Sequence, residues 1–348
     1  MKNNIAIICG ARPNFMKIFP LHKEMIKQNI SHFIINTGQH FSKEMSDDFF
    51  EEFNIKPDYN LKPSKDSVIK QFSDIMLGIE EIFVKEKPDL VIVVGDINST
   101  LAGALVANKM GIELIHIEAG LRSYNLKMPE EYNRVLTDRM SNMLLTTIED
   151  AKNNLKKEGI TENVHFVGNL MIDTLKFFLP KVKETKEEFY FCTLHRAENV
   201  DNKKVFKEIL DALEIIAKDQ KIYLPLHHRT KKKAEEFGFL ERINDIFEIL
   251  PSLKYQDSIF YQKNAKLVLT DSGGVQEETS FLGTPCLTLR TETERPITVE
   301  LGTSTIAGVS KKSILEAYIR QDFQRKKVNI PLWDGNAAKR IIKCLKIN

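Results

Sequence analysis

Short runs of polar and charged residues follow apolar segments at several places in the sequence, and their residue types suit phosphate binding and proton transfer. In the first run, GARPNFMK, Gly10 permits a tight turn, and Arg12 and Lys17 lie around the start of a predicted helix. The first N–H groups of a helix have no backbone acceptor, and together with the helix dipole they favour an anion there. Both cations can add charge-assisted hydrogen bonds to that anion. The run predicts a phosphate site with a nucleotide diphosphate as its natural ligand. A solvated basic turn is the alternative, because neither the P-loop pattern nor GxGxxG is present.

Acidic residues follow two further apolar segments. Asp96 lies in GDINST, Glu118 lies in HIEAGLRS, and Glu130 follows in PEEYNR. Three carboxylates that converge from separate strand ends predict proton transfer or stabilisation of a developing cation. The structural alternatives are helix capping by Asp96 and ion pairs of Glu118 with Arg122 or of Glu130 with Arg134.

The second half of the chain places histidines after apolar segments. TLHRAEN contains His195, Arg196 and Glu198, and PLHHRT contains His227 and His228. Histidine is the side chain that titrates unperturbed near neutral pH, so His195 is predicted to bind phosphate as an imidazolium or to act as an acid. A satisfied surface histidine remains the alternative for His228.

A glycine pair opens a helix in TDSGGVQEE. Ser272, Gly273 and Gly274 let a phosphate approach backbone N–H groups closely, and Glu278, about one turn into the helix, can accept from ribose hydroxyls. TERP supplies Arg295 after the next apolar run. The combination predicts a nucleotide-sugar site.

The composition indicates a globular protein with a small-molecule partner. Hydrophobic residues make up 42% and charged residues 28%, which excludes collagen-like and wholly disordered classes. The 50 basic residues nearly cancel the 48 acidic ones. The charge therefore gives no indication of binding to nucleic acid or to a membrane surface. No segment reaches the roughly 18 apolar residues of a membrane-spanning helix. We therefore expect a soluble, cytoplasmic protein.

The cysteines and histidines indicate no metal site. The four cysteines are far apart and form no CxxC motif, so we expect reduced thiols, most of them buried. The eight histidines show neither HExxH nor HxH spacing.

The elements that position these residues form two α/β series. The first 150 residues alternate apolar, β-branched runs, typical of parallel strands buried on both faces, with period-3.6 helical segments. The predicted strands are 5–9, 32–37, 90–95 and 113–119, and the predicted helices are 15–28, 67–85 and 99–110. This βαβ pattern predicts a doubly wound parallel sheet.

The same pattern starts again after a charged segment, 170–188, which we interpret as a linker. Strands are predicted at 189–195, 221–227, 247–251, 266–272 and 284–290, and helices at 205–217 and 276–282. The predicted domains are 1–169 and 170–334, with a terminal helix within 335–348 that packs back on the first domain. Ligands of such sheets bind at the carboxyl ends of the strands.

These motifs resemble, over residues 5–303, the non-hydrolysing UDP-N-acetylglucosamine 2-epimerases. The similarity rests on GARPNFMK, NTGQH, VVGDINSTLAGALVA, HIEAGLRS, PEEYNR, TLHRAEN, TDSGGVQEE and TERP. The resemblance implies a GT-B architecture, in which two Rossmann-like domains face each other across a cleft. It also implies a homodimer and catalysis without nicotinamide or metal.

The resemblance further implies roles for the candidate residues. Arg12 and Lys17 would contact the substrate phosphates, as would Ser272, Gly273 and Gly274. Glu278 would hold the ribose with Arg295 nearby, while Asp96, Glu118 and Glu130 would surround the sugar and His195 would assist the leaving group. We also count Arg122, Arg196, Glu198 and His227 among the predicted ligands of the UDP-sugar.

The implied reaction converts UDP-GlcNAc to UDP-ManNAc, for use in a cell-surface polysaccharide. UDP would be eliminated to leave a 2-acetamidoglucal and then added back, with domain closure about 170–188 retaining the intermediate. The sugar's C3 and C6 substituents stay open, because related enzymes act on UDP-2,3-diacetamido-2,3-dideoxyglucuronate. A GT-B glycosyltransferase, a hydrolysing epimerase and a catalytically silent nucleotide-sugar sensor are the competing interpretations.

Overall fold

A computed structural model describes residues 4–39 and 50–345 of the chain. The chain divides into two compact units. Unit 1 comprises Met1–Thr174 and Pro331–Asn348, and unit 2 comprises Leu175–Ile330. The chain thus enters unit 2 after Thr174, a few residues later than the predicted boundary at 169, and returns to unit 1 at Pro331.

Unit 1 is built on a parallel sheet of seven strands among its described residues, in the order β3-β2-β1-β4-β5-β6-β7. Because β1 has β2 on one side and β4 on the other, the strand order reverses direction there. The strands are β1 Ile5–Cys9, β2 His32–Asn36, β3 Tyr59–Asn60, β4 Leu90–Val94, β5 Glu113–Ile117, β6 Met143–Thr146 and β7 Val164–Phe166.

Helices connect these strands. The first begins with Pro13 in its first turn, where the missing N–H of proline is tolerated, and buries Phe15, Ile18 and Leu21. The second is capped by Ser67, whose side chain accepts from the Lys70 N–H at 3.1 Å. The helices are α1 Arg12–Lys27, α2 Val68–Glu86, α3 Asn98–Lys109, α4 Pro129–Met140, α5 Glu149–Lys157 and α6 Leu170–Phe178.

The segment 170–188, interpreted from the sequence as a linker, begins with α6 and a 3₁₀ turn at Leu179–Lys181, and the chain passes from unit 1 to unit 2 within it. Its first half is helical because it packs. Leu170, Ile172 and Leu175 are buried, and the charged residues that suggested a linker begin only at Lys181.

Unit 2 repeats the topology with six parallel strands in the order β10-β9-β8-β11-β12-β13. Here the order reverses between β8 and β11, which pair in register from Tyr190 opposite Leu267 to Thr193 opposite Thr270. The strands are β8 Tyr190–Thr193, β9 Ile222–Pro225, β10 Glu248–Leu250, β11 Leu267–Thr270, β12 Cys286–Thr288 and β13 Ser304–Ile306.

The helices of unit 2 cover this sheet, and its main core joins strand residues such as Leu224 and Leu269 to helical residues such as Phe206 and Leu213. The predicted fold class, two doubly wound parallel-sheet domains, is confirmed. The helices are α7 Ala197–Val200, α8 Lys203–Ile216, α9 His228–Phe237, α10 Leu240–Ile246, α11 Tyr255–Asn264, α12 Gly273–Leu282, α13 Ile297–Glu300 and α14 Lys311–Ile319.

The C-terminal helix, α15 Ala337–Cys344, packs on α1 within unit 1. The Asp173 carboxylate caps it by accepting from the Ala337 N–H at 3.1 Å and the Ala338 N–H at 2.9 Å. Trp333, just upstream, donates from its indole to the Thr147 carbonyl at 3.2 Å. Burial raises the pKa of Asp173 to about 6, although the two backbone hydrogen bonds oppose that shift.

The described residues include no helix long and apolar enough to cross a lipid bilayer. Cys9, Cys192 and Cys286 are buried free thiols, and Cys344 is half-buried. Burial raises the pKa of the Cys286 thiol to about 11, so this group is protonated near neutral pH.

Candidate functional site

The predicted site residues cluster where the strand order reverses in each sheet. In open parallel sheets this is where ligands bind, because the connections from the two central strands leave in opposite directions. In unit 1 the reversal lies between β1 and β4, and in unit 2 it lies between β8 and β11.

The turn from β1 into α1 has the features of an anion site. A Cβ at Gly10 would collide with the side chains of Ser99 and Thr37, so this position requires glycine. The N-cap residue of α1, Ala11, provides no side-chain hydrogen bond to the first turn, and Arg12 is half-buried at the first helical position. The first-turn N–H groups of α1 therefore have no side-chain cap, as phosphate binding requires.

Gln39 and Ser99 form hydrogen bonds with each other next to this turn. The Gln39 Oε1 atom accepts from the Ser99 N–H at 2.8 Å and from its hydroxyl at 2.6 Å. Thr37 also lies 2.6 Å from the Ser99 hydroxyl. Gln39 thus contacts the first turn of α3, while His40 of the TGQH motif lies outside the described residues.

Lys17 and Glu118 form a buried ion pair, with Lys17 Nζ 2.6 Å from Glu118 Oε2. Glu118 follows β5 in a left-handed conformation, φ +69°, which is uncommon for a residue with a side chain. The backbone of Gly95, with φ +70°, lies beside the pair. The structure therefore brings Lys17, predicted for phosphate, together with Glu118, predicted for the sugar.

Asp96 follows β4 and pairs with Arg134 of α4, whose Nη2 lies 2.5 Å from Asp96 Oδ2. Arg134 also contacts Glu131 at 3.1 Å, so the pair of Glu130 with Arg134 that the helical spacing suggested is replaced by these two contacts. Glu130 is half-buried and has no hydrogen-bond or ion-pair partner within the part of the chain that the structure describes. Its carboxylate is thus available for a ligand.

Glu131 is a residue to which the sequence assigned no role, and Arg134 was expected only as an ion-pair partner of Glu130. Glu131 is buried and accepts from the Ser123 N–H at 2.9 Å, the Ser123 hydroxyl at 2.8 Å and the Tyr124 N–H at 3.0 Å. It therefore anchors the loop that follows Glu118 to α4. The signal available in the sequence was the second glutamate of PEEYNR.

Arg122 lies apart from the carboxylates that it was expected to accompany. Its guanidinium binds both oxygens of Glu158 at 2.7 Å and Asp138 at 2.7 Å, so the pair with Glu118 is not formed. Burial lowers the pKa of Arg122, but the hydrogen bonds to Glu158 and the charge of Asp138 outweigh burial and raise it. Because the guanidinium is held by these ion pairs, we interpret Arg122 as a structural residue.

In unit 2, Asp271 organises the loop after β8. This buried carboxylate accepts from the backbone N–H groups of His195 and Arg196, at 3.0 and 2.8 Å, and from the Asn199 side chain at 3.3 Å. His195 Nδ1 lies 3.3 Å from Asp271 Oδ1, which leaves Nε2 for another partner. The sequence assigned no role to Asp271, although it directly follows a strand in TDSGG.

His227 lies near His195, with ring centroids 5.4 Å apart. Partial burial of the ring, together with the charges of His195 and His228, lowers the pKa of His227 to about 4. Its Nδ1 accepts from the Arg229 N–H at 3.2 Å, so Nε2 carries the proton of the neutral ring. His227 can therefore donate one hydrogen bond as a neutral group at neutral pH.

The Ser272–Gly274 turn begins α12. Ser272, the N-cap residue, makes no side-chain cap, so backbone N–H groups of the first turn have no side-chain acceptor. A Cβ at Gly273 would lie 3.0 Å from Glu294 Oε1, which makes glycine the residue that fits. The start of α12 thus has uncapped N–H groups at the turn that the sequence predicted to bind phosphate.

Glu294 is a buried carboxylate behind this turn and was not predicted. It lies 3.1 Å from Arg196 and 2.6 Å from Arg290, and Arg290 is also 3.4 Å from the exposed Glu198. Burial raises the pKa of Glu294, but the charges of Arg295, Arg196 and Arg290 outweigh it and hold the pKa far below its usual range. Glu294 thus holds several cations near the turn.

Glu278 and Glu277 lie on the same helix and are buried. Glu278 accepts from the Tyr255 hydroxyl at 2.7 Å and from the Gln262 amide at 2.7 Å, through different oxygens. Arg295 Nε lies 2.8 Å from Glu277 Oε1, which fixes Arg295 beside α12.

Among the residues that the structure describes, no group of three or more histidine, cysteine, aspartate or glutamate side chains is arranged to hold a metal ion.

Comparison with known proteins identifies the family. A family model described as UDP-N-acetylglucosamine 2-epimerase matches residues 23–346. A UDP-N-acetylglucosamine 2-epimerase of Methanococcus maripaludis is 42% identical over 97% of this chain and 97% of its own length. A UDP-2,3-diacetamido-2,3-dideoxy-D-glucuronate 2-epimerase of Pseudomonas aeruginosa is 40% identical over 90% of both chains.

A solved structure is also similar over nearly the whole chain. It is the Methanocaldococcus jannaschii UDP-GlcNAc 2-epimerase in complex with UDP-GlcNAc and UDP, which is 40% identical, covers 99% of this chain and 100% of that chain, and has a TM-score of 0.90. The resemblance inferred from the sequence motifs is therefore confirmed. This chain belongs to the UDP-N-acetylglucosamine 2-epimerase family of isomerases.

Proposed function

We propose that the protein interconverts UDP-GlcNAc and UDP-ManNAc by eliminating UDP and adding it back, with protonation of C2 on the opposite face of the sugar. The observation that carries the proposal is the placement of Asp96 and Glu118 after the neighbouring strands β4 and β5, each paired with a buried cation. The names of the similar proteins give the substrate class.

The chemistry of the sugar explains why carboxylates are needed. The C2 hydrogen lies beside an acetamido group and has no carbonyl to activate it, so direct enolisation is not available. Breaking the C1–O bond develops positive charge at C1, which a carboxylate stabilises, while a base removes the C2 proton. The products are UDP and 2-acetamidoglucal. Protonation of C2 from the other face and renewed C1–O bond formation then give the epimer.

We assign Asp96, Glu118 and Glu130 to these steps. Glu130 is half-buried without an ion-pair partner in the described residues, which suits a group that exchanges a proton with C2. Asp96 and Glu118 carry paired cations, which suits stabilisation of charge at C1. Arg12 and the uncapped start of α1 bind phosphate oxygens, whereas Arg122 positions the loop that it lies on.

In unit 2 we assign the Ser272–Gly274 turn, Arg196 and His195 to the departing diphosphate. Backbone N–H groups, a guanidinium and a histidine held by Asp271 stabilise the negative charge that UDP acquires. Glu278 accepts from the ribose, while Arg295, Glu198 and His227 complete the predicted binding residues.

Incubation with UDP-GlcNAc in D2O, followed by NMR, tests the proposal. Appearance of UDP-ManNAc with deuterium at C2 in both epimers supports it. Release of free ManNAc and UDP indicates a hydrolysing epimerase, turnover that requires an acceptor indicates a glycosyltransferase, and UDP binding without turnover of any UDP-sugar tested indicates a sensor. Each of these three outcomes overturns the proposed reaction.

A second candidate substrate is UDP-2,3-diacetamido-2,3-dideoxyglucuronate, favoured by the 40% identity to the Pseudomonas enzyme. The reaction chemistry is the same, since C1 and C2 carry the same groups. A panel of UDP-HexNAc and UDP-HexNAc-uronate substrates compared by kcat/KM separates the two. Either product would serve a cell-surface polysaccharide.

We also propose a homodimer. Ile69, Leu77 and Val84 lie on one stripe of α2, at spacings of eight and seven residues, and are 76%, 58% and 62% exposed in the single chain. An apolar stripe of this kind is typical of a protein interface. Light scattering tests it, and Ile69→Asp is expected to lower the mass from two chains to one, whereas an unchanged dimer would reject this stripe as the interface.

A further inference from the structure

His116 is a fully buried histidine on β5, two residues before Glu118, to which the proposed reaction assigns no role. Its Nδ1 lies 2.7 Å from Asp138 Oδ1, and its Nε2 lies 2.8 Å from the carbonyl oxygen of Gly95. Both contacts connect β5 to other elements, since Gly95 follows β4 and Asp138 lies on α4. The imidazole therefore forms a hydrogen-bonded bridge from β5 to α4 and to the residue after β4, in addition to packing in the core.

The direction of these hydrogen bonds follows from the partners. A carbonyl oxygen can only accept a hydrogen bond, so Nε2 of His116 donates to the Gly95 carbonyl. Nδ1 forms a hydrogen bond with the Asp138 carboxyl group. The other Asp138 oxygen accepts from the Gly120 N–H at 3.1 Å and lies 2.7 Å from Arg122. Every polar atom of His116 and both oxygens of Asp138 thus have partners.

The two backbone groups at the ends of this bridge flank the proposed catalytic carboxylates. Gly95 immediately precedes Asp96 and has φ +70°, whereas Gly120 follows Glu118 and has φ +77°. Glu118 itself has φ +69°. A residue with a side chain is strained in this conformation, which persists only where the surroundings determine the backbone. The bridge supplies part of these surroundings by holding Gly120, while the Leu145 carbonyl accepts from the N–H groups of Glu118 and Ala119.

We propose that His116, together with Asp138, is a positioning residue that sets the placement of Asp96 and Glu118. The inference rests on the proposed function, because it assumes that these two carboxylates act on the sugar. The His116 hydrogen bond fixes the Gly95 carbonyl before Asp96, and the Asp138 hydrogen bond fixes the N–H of Gly120, two residues after Glu118. A displacement of about 1 Å at such groups lowers turnover by roughly 10²-fold.

Two substitutions of His116 separate positioning from packing. His116→Gln places an amide N–H near the position of Nε2 and can keep the hydrogen bond to the Gly95 carbonyl, whereas His116→Asn can reach Asp138 but not Gly95. The matched control is His32→Asn, because His32 is a partly buried histidine at the amino end of β2 with polar partners of its own.

The variants are compared by kcat and KM for UDP-GlcNAc, by UDP affinity and by thermal unfolding. We expect His116→Asn to lower kcat by about tenfold or more, with KM and UDP affinity changed by less than about twofold, because positioning acts in the transition state. His116→Gln should recover part of that loss, and His32→Asn should leave kcat unchanged.

Several results would overturn the inference while the proposed function stands. If wild-type protein epimerises UDP-GlcNAc and Asp96→Asn abolishes turnover, but both His116 variants retain wild-type kcat, the bridge does not position the carboxylates. Equal kcat losses in both variants that simply follow thermal stability would assign His116 to packing.

If His116→Asn does not fold, Asp138→Asn replaces it, and wild-type kcat in that variant rejects the proposal. Absence of epimerisation by the wild type rejects the proposed function instead.

Discussion

Lys17 Nζ lies 2.6 Å from Glu118 Oε2, and both side chains are buried. A buried ion pair brings two charges out of water, and removal of one partner leaves the other uncompensated. The pair also connects α1, which begins at the proposed phosphate site, to the carboxylate proposed to act on the sugar. If both proposed roles hold, phosphate binding and sugar chemistry are coupled through this ion pair.

The first prediction concerns this pair. Glu118→Gln should lower kcat by roughly 10²–10⁴-fold while UDP affinity changes little, because the carboxylate acts mainly in the transition state. Lys17→Met should lower both kcat and the free energy of unfolding, since it leaves Glu118 buried without its cation. NMR-monitored turnover, UDP titration calorimetry and urea unfolding measure the three quantities.

The exposed pair of Lys70 with Asp74 on α2 provides the control, because Lys70→Met removes a lysine of a surface ion pair. That variant should unfold within about 0.5 kcal/mol of wild type. Wild-type turnover by Glu118→Gln would remove Glu118 from the mechanism.

The second prediction concerns Glu294, the buried carboxylate among Arg196, Arg290 and Arg295. Glu294→Gln should lower the free energy of unfolding at pH 7 by about 3 kcal/mol, because it removes a buried counter-charge. Since the pKa of Glu294 is lowered in the folded protein, its stabilisation is present above the ordinary value of 4.5 and is lost as the pH falls below it.

The difference between wild type and Glu294→Gln should therefore shrink between pH 5 and pH 3, as measured by urea unfolding. Glu235→Gln, an exposed change on α9, is the control and should show no such pH-dependent difference. A difference that stays constant with pH would contradict the assignment of a lowered pKa to Glu294.

The sequence predicted the central strands and the residues that follow them, for a physical reason. Strands such as Leu90–Val94 are buried on both faces and are continuously apolar, and the chain must emerge from each at the same edge of the sheet. Strand β13, Ser304–Ile306, was missed because it is a short edge strand with two exposed residues. Strand β6, Met143–Thr146, was missed because its four residues are too few to show a clear periodicity of apolar residues.

The partners of the site residues were not predictable in the same way. Helical spacing suggested that Arg134 pairs with Glu130, yet Arg134 pairs with Asp96, 38 positions away. Arg122 was expected beside Glu118 and instead binds Glu158 and Asp138. Such contacts depend on how α4 and α5 pack against the sheet, which local patterns do not specify.

The third prediction concerns His227. With a pKa of about 4, the ring is neutral in the free protein near pH 7, and its NMR resonances should titrate with a midpoint near that value. A bound diphosphate favours the charged ring and raises the midpoint, so UDP affinity of wild type relative to His227→Gln should increase as the pH falls from 7 to 5. A midpoint near the ordinary 6.5 in the free protein would show that neither burial nor the neighbouring histidines lower the pKa of the ring.

The last prediction concerns Asp173, which caps α15 through two backbone hydrogen bonds. Burial raises its pKa from 3.8 to about 6, so the folded protein holds this proton more tightly than the unfolded chain. The contribution of Asp173 to the free energy of unfolding should therefore increase as the pH falls from about 6 to about 4, by about 2–3 kcal/mol at most. Asp173→Asn cannot titrate and should lack this increase, although it loses one carboxylate acceptor and weakens the cap by about 1 kcal/mol.

Guanidinium unfolding of wild type and Asp173→Asn at intervals from pH 4.5 to pH 7 measures the difference. Other groups that titrate in this range are common to both proteins and cancel in the comparison. Asp245→Asn, an exposed change on α10, should follow the wild-type curve at every pH. A difference between wild type and Asp173→Asn that grows as the pH rises, instead of as it falls, would mean that the capping hydrogen bonds outweigh burial and that the charged carboxylate holds α15 in place.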